Sequence, residues 1–478
     1  MSAQNDTSTE SIQLLRRMDD SRFTSRHLRI YLTALFGHFM DGFVINMTGV
    51  IIPGLIVTYH LTSKQAGHFS SSLFAGMLIG AAVAGPASDR LGRRFLLFAA
   101  IMVYALFSLA AVFAWSYDSV LVLRMCQGLG LGAEIAIVLP YIAEFVPSRH
   151  RGPLVTLASA AWILGLPASA AVGRLLLPHS SWRSMFVVGT VSVLAAFVVI
   201  VGLPESVRYL LRSGRVDEAR RIVGTVASEE PAATARPVKD PAPALAEPNR
   251  TAGSVRFLLG RSYLRYTLSI WLMELCAGAF LYGMSSWLPS VLERRGVGLL
   301  RSFSYTAIIT TAAVVGAILA GQLVNRIGRR FVMSTSFLLG GVLCLVWGTT
   351  SATAAVVILG SIVQFFGSGL AGATLFAYAS ELYPTASRAT GLGWAAAWQK
   401  AGGLVMPTTV GYVLAMHTST YIFFVMFAVI SLLAGVSALT ATFETRDKTV
   451  EQITRELALR RSRTPAVAVG SPAVGDDV

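Results

Sequence analysis

The decapeptide GPASDRLGRR, Gly85 to Arg94, returns as GQLVNRIGRR, Gly321 to Arg330, and each copy lies between apolar runs long enough to cross a bilayer. The offset is 321 − 85 = 236 residues. A second pair keeps the register: Glu144, Pro147 and Arg151 in EFVPSRHRG match Glu381, Pro384 and Arg388 in ELYPTASRATG, with 381 − 144 = 237. Two independent motifs at one offset in a 478-residue chain identify a duplicated half. A duplicated polytopic half is the sequence form of a transporter.

Composition agrees. The chain is 54% hydrophobic and 13% charged, whereas a soluble globular protein carries roughly 25% charged residues. Its net charge of +14 sits in short basic clusters between apolar spans, not on a basic domain. That pattern follows the positive-inside rule and argues against nucleic acid as a partner. Cys126, Cys276 and Cys344 each fall inside an apolar run and read as packing, not as disulfides or metal ligands. No His/Cys/carboxylate cluster has metal-ligand spacing, and neither a nucleophile elbow nor a P-loop occurs. No metal, cofactor or enzymatic activity is therefore expected. Met1 to Ser25 is polar and lacks the apolar core of a secretory signal.

Runs of about 20 apolar residues predict an all-α membrane protein of twelve transmembrane helices in two six-helix pseudo-repeats. The first six cover 29–58, 65–87, 94–115, 119–144, 152–176 and 183–203; the second six cover 262–290, 302–323, 331–349, 353–380, 389–413 and 419–442. This divides the chain into an N-terminal segment (1–28), a first bundle (29–203), a linker (204–261), a second bundle (262–442) and a tail (443–478). Arginine counting puts both termini in the cytoplasm, with the chain a multi-pass protein of the plasma membrane, the inner membrane in a bacterium. In the linker, Leu210, Leu211, Val216, Ala219 and Val223 can line one face of short helices. The Pro/Ala-rich stretch that follows, and the tail after Leu459, read as disordered.

These motifs resemble the major facilitator superfamily over about residues 25 to 455. GPASDRLGRR resembles its signature loop, RMCQGLGLGAE its fourth-helix segment, PESVRYLL the sugar-porter PES-arginine motif and ETRDKTVEQI the C-terminal segment. DGF at Asp41 to Phe43 is similar to the first helix of bacterial aromatic-acid and metabolite proton symporters. Those relatives carry a second acid three residues later, where this chain has Val44. The resemblance implies that Gly85, Asp89, Arg90, Gly92, Arg93 and Arg94 form a cytoplasmic latch between halves. Glu144 with Arg151, Glu381 with Arg388, Glu205 with Arg208, and Arg326 and Arg330 belong to the same network. The second copy has Asn325 in place of the acid.

The repeat supplies an internal control. Gln127, Gly130 and Gly132 fall on Gln364, Gly367 and Gly369 and read as scaffold, since small residues let helices approach. Arg124 falls on Ser361, Glu134 on Ala371 and Lys400 on Ile163, so the embedded charges are not duplicated. A charge at membrane depth costs at least ~2.5–3.5 kcal/mol on insertion scales and marks a substrate or proton path. The proton-coupling candidates are Asp41, Glu134, Arg124 and Glu274. Asp41 has His38 one turn earlier, and Arg124 should meet Asp41 now that Val44 replaces the second acid. The substrate-binding candidates are Lys400, Gln399, Trp394, Trp398, Gln127 and Gln364. Lys400 beside two indoles suits an aromatic or other organic carboxylate; the alternative is a salt bridge to Glu274.

The expectation is a monomeric secondary active transporter that couples a small, anionic organic substrate, aromatic or otherwise, to protons. A sugar or polyol porter, a drug or metabolite exporter and a non-transporting ligand sensor are the alternatives.

Overall fold

In a bilayer core no water satisfies an exposed backbone, so each apolar run closes its own hydrogen bonds as a helix. The structure is a computed structural model that describes residues 2–227, 255–260, 263–416, 419–446, 448, 452 and 453. Among these, eleven helices are long and apolar enough to span a membrane: Ser25–Tyr59, Ser63–Leu91, Arg93–Val112, Tyr117–Phe145, Ser148–Leu176, Arg183–Gly202, Leu264–Arg294, Leu299–Ile327, Arg329–Thr349, Thr353–Leu382 and Tyr421–Ala441. The helix Thr385–Ala415 is the eleventh span in chain order and completes the second six. Large apolar side chains such as Val57, Phe113, Leu175 and Val201 face outward, where only lipid accommodates them in such number.

Periodicity does not show the interruptions. The first span breaks at Met47 into Ser25–Asn46 and Thr48–Tyr59, and the sixth breaks at Val191. The tenth carries a π-helical turn over Phe365–Leu370, a feature that often marks functional sites.

The duplication extends to the helix crossings. A Cβ on Gly42 would overlap the Trp162 carbonyl, and one on Gly278 the Gln399 carbonyl. The offsets are 278 − 42 = 236 and 399 − 162 = 237, so the first–fifth and seventh–eleventh crossings are one device used twice. Gly132 presses on the Met77 carbonyl and Gly369 on the Ala313 carbonyl, as scaffold positions should.

The halves meet along the second and eleventh spans and along the fifth and eighth, and polar contacts join them at the end away from the signature loops. Arg294 donates to Ser63 at 2.8 Å, Ser71 and Thr408 share a hydrogen bond at 2.7 Å, and Gly49 abuts the Ser285 carbonyl.

The linker forms helices Val207–Arg212 and Val216–Val226, with Leu210, Ala219 and Val223 buried and Leu211 and Val216 half-buried. An N-terminal helix, Ser2–Asp19, lies against them, with Leu14 and Met18 buried and Glu10 paired to Arg220. The Pro/Ala-rich stretch and the tail after Leu459 lie outside the described residues.

Candidate functional site between the halves

The embedded charges occupy two walls that face each other. On the first half, Asp41 and Glu134 are fully buried and His38 is 3% exposed. His38 Nδ1 lies 3.8 Å from Asp41 Oδ2, beyond hydrogen-bond range. One donor atom from each of His38, Asp41 and Glu134 falls within 4.8 Å of the others. Sequence spacing revealed no such cluster, because it joins the first and fourth spans. The carboxyl groups of Asp41 and Glu134 lie side by side with the Tyr104 hydroxyl next to them, and no cation pairs with either carboxyl among the described residues.

Arg124 does not meet Asp41 as expected. Its guanidinium donates to the carbonyls of Val44 at 3.0 Å and Ile45 at 3.4 Å, to the Thr48 hydroxyl and to Gln127. It lies 5.6 Å and 5.8 Å from the Phe69 and Phe186 ring centroids. The reason is the break at Met47: it ends a helix beside Arg124, and a helix C-terminus presents free carbonyls to a cation. Gln127 is taken up by Arg124 and Ser108. Gln364 turns back to Ser368 in its own helix. Neither amide turns to Lys400.

On the second half, Lys400 is 6% exposed and makes no ion pair among the described residues. Its Nζ donates to the Tyr282 hydroxyl and to Gln399 Oε1, each at 2.9 Å, and lies 5.2 Å from the Tyr282 ring centroid. Gln399 Nε2 in turn donates to Glu274 at 3.3 Å, so a glutamine relay stands where a Lys400–Glu274 salt bridge was the alternative. Glu274 occupies the place of His38, since 274 − 38 = 236.

Trp394 and Trp398 do not flank Lys400. Both stack on Trp271, at centroid distances of 5.5 and 5.7 Å. Residues two apart on a helix point about 200° apart, so Trp398 and Lys400 face different neighbours. The aromatic wall beside Lys400 is instead Tyr282, with Phe74 at 4.5 Å and Trp162 edge-on at 6.1 Å. Sequence reasoning missed Trp162, Tyr282 and Phe74. The repeat held a signal for one of them, since Trp162 is the counterpart of Gln399.

At the signature loops each half builds the same network. Glu205 accepts the Arg93 and Arg94 backbone N–H groups at 2.9 and 3.1 Å; Glu444 accepts those of Arg329 and Arg330 at 2.8 and 3.1 Å. Gly92 and Gly328, at φ +91° and +110°, make the turns, and each carboxylate fills the space a Cβ would need. Arg93 pairs with Glu144, which also accepts from Ser206; Arg329 pairs with Glu381, which accepts from Thr445. Arg329, Glu444 and Thr445 were missed as network members, though Glu205 and Ser206 repeat as Glu444 and Thr445 at offset 239.

Other expected partners differ. Arg151 pairs with Asp19 of the N-terminal helix, and Arg388 donates to the Tyr383 carbonyl at 3.4 Å. Arg208 lies beside Glu144 and forms no ion pair with Glu205. Asp89 meets Arg212 at 3.5 Å, both largely exposed, so it bridges to the linker of its own half. Arg90 and Arg326 contribute carbonyls, to Tyr209 and Arg446; Arg330 reaches the Leu439 carbonyl. Around Gly85 a Cβ would meet nothing within 4 Å.

Comparison with known proteins adds a lineage. The family described as Major Facilitator Superfamily matches residues 34–407 and, overlapping, 306–473. The niacin transporter of Acinetobacter baylyi is 29% identical over 92% of this chain and 100% of its own. The 4-hydroxybenzoate transporter of Pseudomonas aeruginosa is 30% identical over 77% of this chain and 81% of its own. The gallate transporter of Pseudomonas putida is 30% identical, with 76% and 79% covered. The partially occluded, inward-open structure of the xylose transporter from E. coli superposes with a TM-score of 0.70 at 19% identity, over 89% of this chain and all of that one. That likeness is one of fold.

Proposed function

This chain belongs to the major facilitator superfamily of multi-pass membrane transporters, and on that footing we propose that it imports a small aromatic carboxylate together with protons, by alternating access. The observation that carries the proposal is Lys400: a buried ammonium with no carboxylate partner among the described residues, set on the Tyr282 ring and facing the other half. A buried cation of this kind needs an anion, and a bound carboxylate supplies it while Tyr282, Phe74 and Trp162 take the ring. The niacin, 4-hydroxybenzoate and gallate transporters among its relatives support that substrate class. A neutral sugar would bring no counter-charge to Lys400.

The opposite wall is the proton site. Two buried carboxyl groups side by side at membrane depth, with no cation paired to either among the described residues, tolerate one negative charge between them, so Asp41 and Glu134 share a proton. Lys400 and the two carboxyl groups stand on opposite walls, so a bound anion and a proton attract across the gap and favour each other's binding. Each half then rocks as a unit, held at its cytoplasmic end by its own Glu205 or Glu444 network. Both termini face the cytoplasm, the protein sits in the plasma membrane, the inner membrane in a bacterium, and one chain holds the whole site.

Reconstituted protein with an inward proton gradient should accumulate labelled benzoate or niacin, and a protonophore should abolish the accumulation. Uptake indifferent to the gradient would reject symport, and no uptake of any aromatic acid would reject the substrate class.

A further inference from the structure

Trp162 is not explained by packing alone. Its indole is buried, 8% exposed, and its Nε1, like those of Trp271, Trp347 and Trp398, has no hydrogen-bond partner among the described residues; of these four indoles Trp162 is the one set against Tyr282. Buried tryptophan N–H groups usually find an acceptor, and an orphan donor of this kind is destabilising. Its backbone is fixed, because the Trp162 carbonyl presses on Gly42 at the first–fifth crossing. The duplicated crossing puts Gln399 at the matching place in the second half, with Lys400 next in sequence. A ligand between the halves therefore meets Lys400 on one wall and Trp162 on the other, with Tyr282 touching both.

We propose that Trp162 is the specificity-determining residue: its indole N–H donates to a hydrogen-bond acceptor on the substrate ring, remote from the carboxylate held by Lys400. The substrate class narrows to aromatic acids with a ring nitrogen or ring hydroxyl. This rests on the reading of Lys400 as the carboxylate site. A site built to donate a hydrogen bond rejects the isostere that lacks the acceptor, because the donor is then left unpaired.

The test is equilibrium binding of pyridine-3-carboxylate, 4-hydroxybenzoate and benzoate to the purified full-length protein, wild type and Trp162→Phe. Pyridine-3-carboxylate and benzoate have nearly one shape and differ at a single ring position. Wild-type protein should bind the two acceptor-bearing acids roughly tenfold more tightly than benzoate, the worth of one hydrogen bond. Trp162→Phe keeps a ring and removes the donor, so within the variant all three acids should bind alike, the preference over benzoate being lost. Equal wild-type affinity for all three acids overturns the inference without any variant being needed, and leaves the Lys400 site standing. An equal loss for all three in Trp162→Phe also overturns it, making the indole a packing group. Absence of binding by every acid would reject the carboxylate site and this inference with it.

Discussion

Replacing Lys400 by methionine removes the ammonium while keeping an unbranched side chain, so little cavity forms. An ammonium has three donors, and in the structure two of them go to Tyr282 and Gln399 at 2.9 Å. One remains for a ligand. A hydrogen bond to a charged group contributes about 1.5–3 kcal/mol, which corresponds to a loss of roughly ten- to a hundredfold in affinity. The loss should apply to an acid such as niacin or benzoate and spare the matching amide, whose neutral carbonyl gains little from the ammonium. Titration calorimetry on purified protein with acid and amide pairs measures both. Lys400→Arg should not restore the acid, because a planar guanidinium cannot serve Tyr282, Gln399 and a ligand from one point. Equal losses for acid and amide would refute the reasoning and make Lys400 a structural donor to Tyr282.

Asp41→Asn or Glu134→Gln should abolish proton-driven accumulation yet preserve substrate exchange across the membrane, because exchange requires alternating access but no net deprotonation. Retained accumulation in both variants would remove the pair from coupling. Glu205→Gln and Glu444→Gln each weaken the acceptor of two backbone N–H groups at a glycine turn, and each should lower stability by about 1–2 kcal/mol in a thermal melt. A loss confined to one of them would contradict the equivalence of the two networks. Gly42→Ala and Gly278→Ala drive a Cβ into a facing carbonyl and should destabilise by about 1–3 kcal/mol. Gly85→Ala has open space and should melt like the wild type.

Much of this architecture is linear information. The repeated decapeptide and the matched Glu/Pro/Arg triplets define two halves, and the apolar run lengths predict twelve spans to within a few residues. The unduplicated charges Asp41, Glu134 and Lys400 could be singled out for the same reason: once a repeat is aligned, a position breaking it is visible without a fold. Even the Glu205 and Glu444 pair was readable in principle, because Glu205 and Ser206 return together as Glu444 and Thr445, at an offset of 239, close to that of the repeat.

Partnership was not readable, since it depends on where helices cross and where they break. Arg124 was assigned to Asp41, but the break at Met47 turns the carbonyls of Val44 and Ile45 toward it and leaves Asp41 to Glu134. Trp398 is two residues from Lys400 in sequence yet stacks on Trp271, while Tyr282, 118 positions away, takes the ammonium. Helical rotation separates near neighbours, and the close crossings at Gly42 and Gly278 bring distant residues together. The sequence by itself determined a duplicated membrane bundle and which residues depart from the repeat. Only the tertiary structure decided which of those residues meet, because in a bundle contact is set by rotation and crossing point, and neither is encoded in spacing along a single helix.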